Sequence, residues 1–145
     1  MHKIVVLLCL LFVGMVSFAQ TSDQDEVAVR NLLAEQTREW NKGDIPSFMN
    51  TYWNSDSLLF IGKNGVTYGW QKTLDNYLKG YPDTSAMGKL QFELLEVQRL
   101  SAMHFFVAGK WHLTRTIGDI GGVFTLLFRK IAGKWLIVAD HSESS

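Results

Sequence analysis

Cysteine is almost missing from this 145-residue chain, which carries one, Cys9. Cys9 sits in an apolar run from Ile4 to Val16 that follows a basic start at Lys3 and ends in Ser17-Phe18-Ala19. That is the layout of a secretory leader cut after Ala19. The run is shorter than the roughly 20 residues a spanning helix needs, and no stop-transfer flank follows it. Residues 1–19 are therefore expected to leave as a signal peptide, and residues 20–145 to form one domain with no cysteine. Thiol catalysis, thiolate metal ligation and disulfides are excluded from that domain, and its expected location is secreted or periplasmic.

Proline is scarce as well, with two in the chain, and no repeat or low-complexity tract occurs. Collagen-like, proline-rich and solenoid architectures drop out. Charge of one sign is also lacking: 14 Lys and Arg face 14 Asp and Glu. The field that draws in nucleic acid or an acidic membrane surface is absent, so neither is an expected partner. What the chain has is apolar bulk, with 47% hydrophobic residues including five Trp, nine Phe and four Tyr. That is enough for a packed core in a domain of this size.

The order of elements reads ααββαββββ. Ser22 is the expected cap of a first helix with acids in its opening turn; Val29, Leu33 and Trp40 line one face, and Lys42-Gly43 ends it. Asp44 caps a short second helix with Pro46 in its first turn. Leu58 to Ile61 reads as a strand turning at Asn64-Gly65 into Val66-Thr67-Tyr68. Trp70, Leu74, Tyr77 and Tyr81 recur at helical spacing before Pro82, predicting a helix over 70–81. Four long strands follow, at 89–100, 103–116, 122–131 and 134–142, joined by hairpin-length separators and so antiparallel. Both faces of these strands are apolar: Phe124, Leu126 and Phe128 oppose Val123 and Leu127. One face is expected on the helices and the other against a second copy, in a homodimer through the outer sheet face.

Several runs carry a resemblance: Trp40-Asn41-Lys42-Gly43-Asp44 followed by Phe48 and Tyr52, Tyr68-Gly69, Gly109-Lys110-Trp111, and Gly133 through Ser142. Over residues 23–142 the chain resembles the nuclear-transport-factor-two-like superfamily, specifically its SnoaL-like and ketosteroid-isomerase-like exported domains. The terminal run, with His141 six residues after Trp135, also resembles the closing strand of the calcium/calmodulin-kinase association domain. The resemblance implies an α+β cone, a curved antiparallel sheet wrapped around the helices with a pocket at its open end for a small apolar or amphipathic molecule. It equally allows an acid–base enzyme in the same pocket, or a homo-oligomeric association module. In isomerase-like enzymes the strand after the second helix carries a proton-shuttling aspartate. Here that position falls on Phe60 or Ile61, neither of which moves a proton.

The expected ligand-binding residues are Trp40, Tyr52, Tyr77, Tyr81, Trp111 and His141. Asp140 and His141 are neighbours on a strand, so only one can enter the pocket. If Trp135, Ile137 and His141 share the inner face, His141 is the candidate acid or base; otherwise it is a structural histidine. Arg115 shares parity with Trp111 and Leu113, and reaches the pocket to hold a carboxylate or enolate if that face is concave, or is a solvated cation if it is convex. Each tyrosine could offer its phenol to a ligand or fill the core. His104 and His112 lie roughly 26 Å apart along a strand. No His-x-His or Glu-x-x-His pair occurs, and neither a metal nor a cofactor is expected.

Overall fold

The computed structural model describes residues 23–145; the expected signal peptide and the Ser22 cap lie outside the described residues. Asp23 does the capping instead, its carboxylate accepting the backbone N–H groups of Asp25 and Glu26 at 3.0 and 3.4 Å. Helix α1 (Gln24–Lys42) then buries Val29, Leu33, Gln36 and Trp40 and stops at Gly43. Helix α2 (Ile45–Met49) starts on Asp44 with Pro46 in its first turn. Strands β1 (Leu59–Gly62) and β2 (Gly65–Tyr68) form a hairpin whose loop is Lys63-Asn64, so Gly65 already belongs to β2. Helix α3 (Trp70–Gly80) is tied to α2 through the Trp70 indole N–H, which donates to the Met49 carbonyl at 2.8 Å. A short helix α4 (Thr84–Met87), capped by Asp83, follows Pro82 and was not visible in the apolar spacing. The long strands are β3 (Lys89–Ser101), β4 (His104–Thr114), β5 (Ile120–Ile131) and β6 (Lys134–Ser144).

All six strands form one sheet in the order β2-β1-β6-β5-β4-β3. The long strands meander antiparallel as expected, but β1 joins β6 in parallel, so the sheet is mixed rather than wholly antiparallel. The cause is the chain's exit from α2. Ile137 N–H donates to the Thr51 carbonyl at 3.0 Å and Trp53 N–H to the Ile137 carbonyl at 2.9 Å. Residues 51–53 thus run along β6 in its own direction, and β1 continues that course. Register shifts at Leu94/Glu96, Arg99/Ser101 and Leu127/Phe128 insert extra residues that bend the sheet into an unclosed curve. Its concave face buries Phe105, Val107, Leu113, Phe124, Leu126, Phe128, Trp135 and Ile137, whereas Val123 on the convex face is exposed.

One end of the curve is clamped shut. The Asp25 carboxylate accepts from Lys130 Nζ at 2.9 Å, Trp135 Nε1 at 3.0 Å and Arg99 Nη2 at 2.9 Å. These donors, Lys130 foremost, hold its carboxyl well below the usual carboxylate range. The Arg99 guanidinium also grips Asp23 at 2.7 Å and lies 4.7 Å above the Phe105 ring. The start of α1 is thereby pinned across β3, β5 and β6.

The β5–β6 turn, Ala132-Gly133, takes positive φ at both residues, 48° and 79°. This geometry matches the right-handed twist of the flanking strands, but alanine fits it poorly because its Cβ crowds the carbonyl. Ala132→Asn, keeping Gly133, is expected to raise stability by on the order of 0.5 kcal/mol. Urea denaturation of the two proteins reads the gain directly; a loss would mean that the alanine methyl contributes packing that outweighs its strain.

Candidate functional site

Opposite the clamp the helices and sheet diverge, leaving a cavity of about 560 Å³. Helix α1 supplies Gln36 and Trp40, the α2 segment Phe48 and Tyr52, β1 Phe60, and α3 Tyr77, with Tyr81 just beyond it. The sheet adds Leu90, Phe92, Trp111, Leu113, Phe124 and Leu126. Local contacts fix these walls. The Trp40 indole N–H donates to the Met87 carbonyl at 3.1 Å, and the Asn41 side chain pairs with both backbone groups of Leu90, at 3.1 and 2.6 Å. The Trp40 ring stands edge-on to Tyr81 at 4.9 Å and Phe48 at 5.1 Å, while Phe48 and Phe60 meet Tyr77 at 5.3 and 5.7 Å. Interlocked edge-to-face rings of this kind hold one another's orientation and give a rigid apolar lining.

Into this lining projects one buried carboxyl, Asp140 on β6, which is 4% exposed. The Tyr52 hydroxyl donates to Oδ2 at 2.7 Å and the Ser142 hydroxyl to Oδ1 at 2.6 Å. Burial disfavours the charged form and outweighs the two donors, so the carboxyl is pushed up to about 6. Burial pushes the Tyr52 and Tyr77 phenols well above their ordinary value, and the Asp140 charge adds to the shift in both. A carboxyl titrating near neutrality, with a protonated phenol at its oxygen, can accept a proton, return it, or receive a ligand's hydrogen bond.

Comparison with solved structures places this architecture. A protein of unknown function from Shewanella oneidensis MR-1, described as NTF-2 like, is 38% identical; the match covers 83% of this chain and 98% of that one, with a TM-score of 0.77. The chain belongs to the nuclear-transport-factor-two-like family. A ketosteroid isomerase-like protein from Erwinia carotovora atroseptica SCRI1043 shares the fold at 19% identity, covering 84% of this chain and 97% of that one, with a TM-score of 0.69. An NTF2-like protein of unknown function from Pseudomonas putida KT2440 shares it at 15% identity, covering 83% and 86%, with a TM-score of 0.66. No protein-family model and no curated protein matches the chain.

Within this family frame, the position that the isomerase-like resemblance assigns to a proton-shuttling aspartate falls on Phe60 or Ile61, and of the two Phe60 borders the cavity. Its partner across the parallel β1–β6 pairing is Asp140. A carboxyl therefore does enter the cavity, one strand over. Trp40, Tyr52, Tyr77, Tyr81, Trp111 and Arg115 all border the same cavity. His141 does not border it. Its side chain is 47% exposed and pairs with Glu143 at 3.1 Å on the outer face. The reason is the extra residue at Val138: Phe128 pairs with Ile137 but Leu127 pairs with Ala139. Trp135 and Ile137 point inward before this bulge; Asp140 and Ser142 do so after it, and His141 is turned out. His104 and His112 are occupied separately, with Ser101 at 3.0 Å and Asp119 at 3.1 Å.

Proposed function

We propose that this family member is an exported protein that holds a small apolar or amphipathic molecule in the cavity between Trp40, Tyr77 and Trp111. The observation that carries the reading is the cavity itself: a volume in the range of ordinary small-molecule sites, walled by fixed aromatic rings, with one buried carboxyl for orientation. Export rests on the leader-like residues 1–19. Pairing of two copies belongs to the same reading, because Phe106, Leu127 and Leu136 are only half-buried on the convex face and Val123, further along β5, is exposed.

Native mass spectrometry of protein purified from an exporting host addresses all three parts. The expected species is a dimer of chains lacking residues 1–19, each with a drug-sized guest that dissociates on denaturation. Protein that is guest-free and takes up no apolar probe would overturn the binding reading; intact leaders or a monomer would remove export or pairing separately.

A second reading is favoured by Asp140. Its carboxyl, raised to about 6 and oriented by the Tyr52 hydroxyl that donates to it, suits a general base. In that reading turnover depends on Asp140 and not on His141. The name of the Erwinia protein is in keeping with such chemistry, though the carboxyl sits on a different strand from the one the resemblance implies.

A further inference from the structure

Arg115 follows the last residue of β4 and borders the cavity; with Arg129, which lies over the Trp53 ring at 5.8 Å, it is set apart from the three arginines that form ion pairs. Arg30, Arg38 and Arg99 pair with carboxylates at 2.8, 3.1 and 2.7 Å. Among the described residues no carboxylate lies within ion-pair distance of the Arg115 guanidinium. Its Nε–H donates to the Gly118 carbonyl at 2.7 Å and Nη1 to the Ala86 carbonyl at 3.3 Å. Two neutral acceptors fix the plane of the group. The nearby acid, Asp119, is engaged by the Arg115 backbone N–H at 2.9 Å and by His112.

The backbone makes room for this side chain. Gly88 has φ +59°, and a Cβ there would collide with the Arg115 Cγ and the Thr114 carbonyl. Arg115 also borders a smaller groove on the far side of Trp40, lined by Lys42 and Lys89. Lys42 is paired with Glu39 at 3.0 Å, whereas Lys89 Nζ donates to the neutral Asn41 carbonyl at 2.6 Å. Arg115 borders both spaces, whereas the buried carboxyl of Asp140 borders the cavity alone. Asp140 pairs with Leu126, and Leu113, two residues before Arg115, pairs with Ile120. Those levels are about 20 Å apart along the strand, less through space because the sheet curves.

We propose that the molecule held in this cavity is a carboxylic acid with an apolar body, its carboxylate gripped by the Arg115 guanidinium and its body lying on Trp40, Tyr77 and Tyr81. The inference rests on the reading that the cavity holds a guest. A cation would meet Arg115 as a like charge, and a neutral guest would form no ion pair with the guanidinium. The opposite orientation would put two carboxyl groups together at Asp140, where they repel. A planar fork held by two carbonyls is preorganised for the two oxygens of a carboxylate.

Decanoic acid and 1-decanol test this at pH 8, where the acid is ionised and the two differ only in the head. Indole fluorescence reports binding, since Trp40 and Trp111 border the cavity. Decanoate is expected to bind about tenfold more tightly than decanol to the wild-type protein. Arg115→Gln is expected to abolish that preference while leaving decanol affinity in place, and Arg115→Lys to restore part of it. Equal affinities for the wild-type protein would overturn the carboxylate inference and leave the cavity reading standing; that comparison needs no variant to fold. Binding of neither probe would overturn the cavity reading and the inference with it.

Discussion

Asp140→Asn is expected to make the protein more stable, not less, above about pH 6. The native carboxyl titrates at about 6, and an unfolded aspartate at its model value of 3.8. Between those values the folded chain holds the proton more firmly than the unfolded chain does. Stability therefore falls as pH rises from about 4 to about 6, and remains low beyond. For a carboxyl this deeply buried the loss is roughly 3 kcal/mol. Asparagine is neutral throughout and removes the slope; losing one acceptor for the Tyr52 or Ser142 hydroxyl returns about 1 kcal/mol of the gain. Urea denaturation at pH 4.5, 6 and 7.5 measures the difference between the two proteins. A difference that does not change with pH would mean that Asp140 is solvated. If the cavity performs proton transfer, the same variant is expected to lose about 10²- to 10⁴-fold in turnover, so stability and activity would move in opposite directions.

The second large effect lies at the packed end. Phe128 is fully buried and pairs in register with Phe105, also fully buried, whose ring meets Trp135 edge-on at 5.1 Å. Removal of a fully buried phenyl leaves a cavity, so Phe128→Ala is expected to cost about 3–5 kcal/mol. Tyr81→Ala removes a ring of similar size that already borders the cavity, and is expected to cost less than half as much. Denaturant midpoints of the two variants give the comparison. Equal losses would mean that the end near Tyr81 is packed as tightly as the end near Phe128.

The alternation of large apolar residues made the fold legible. Positions 124, 126 and 128 against 123 and 127 gave the faces of β5, and the spacing of Trp70, Leu74, Tyr77 and Tyr81 gave α3. Five of the six expected lining residues, and Arg115, border the cavity because their elements are regular up to those positions. What escaped were the irregular steps. The run Trp135-Leu136-Ile137-Val138-Ala139 is apolar throughout, so nothing in it marks where an extra residue sits, and counting by twos across it exchanges Asp140 for His141. The direction of β1 escaped for a related reason: it depends on backbone hydrogen bonds between residues 51–53 and Ile137, which carry no side-chain signature.

The place of β6 between β1 and β5 has a consequence for how the molecule comes into being. The hairpin of β1 and β2 has no other neighbour in the sheet, so it can dock only once β6 has been made. β6 is thus a keystone, and until it is laid between its neighbours the hollow does not yet exist.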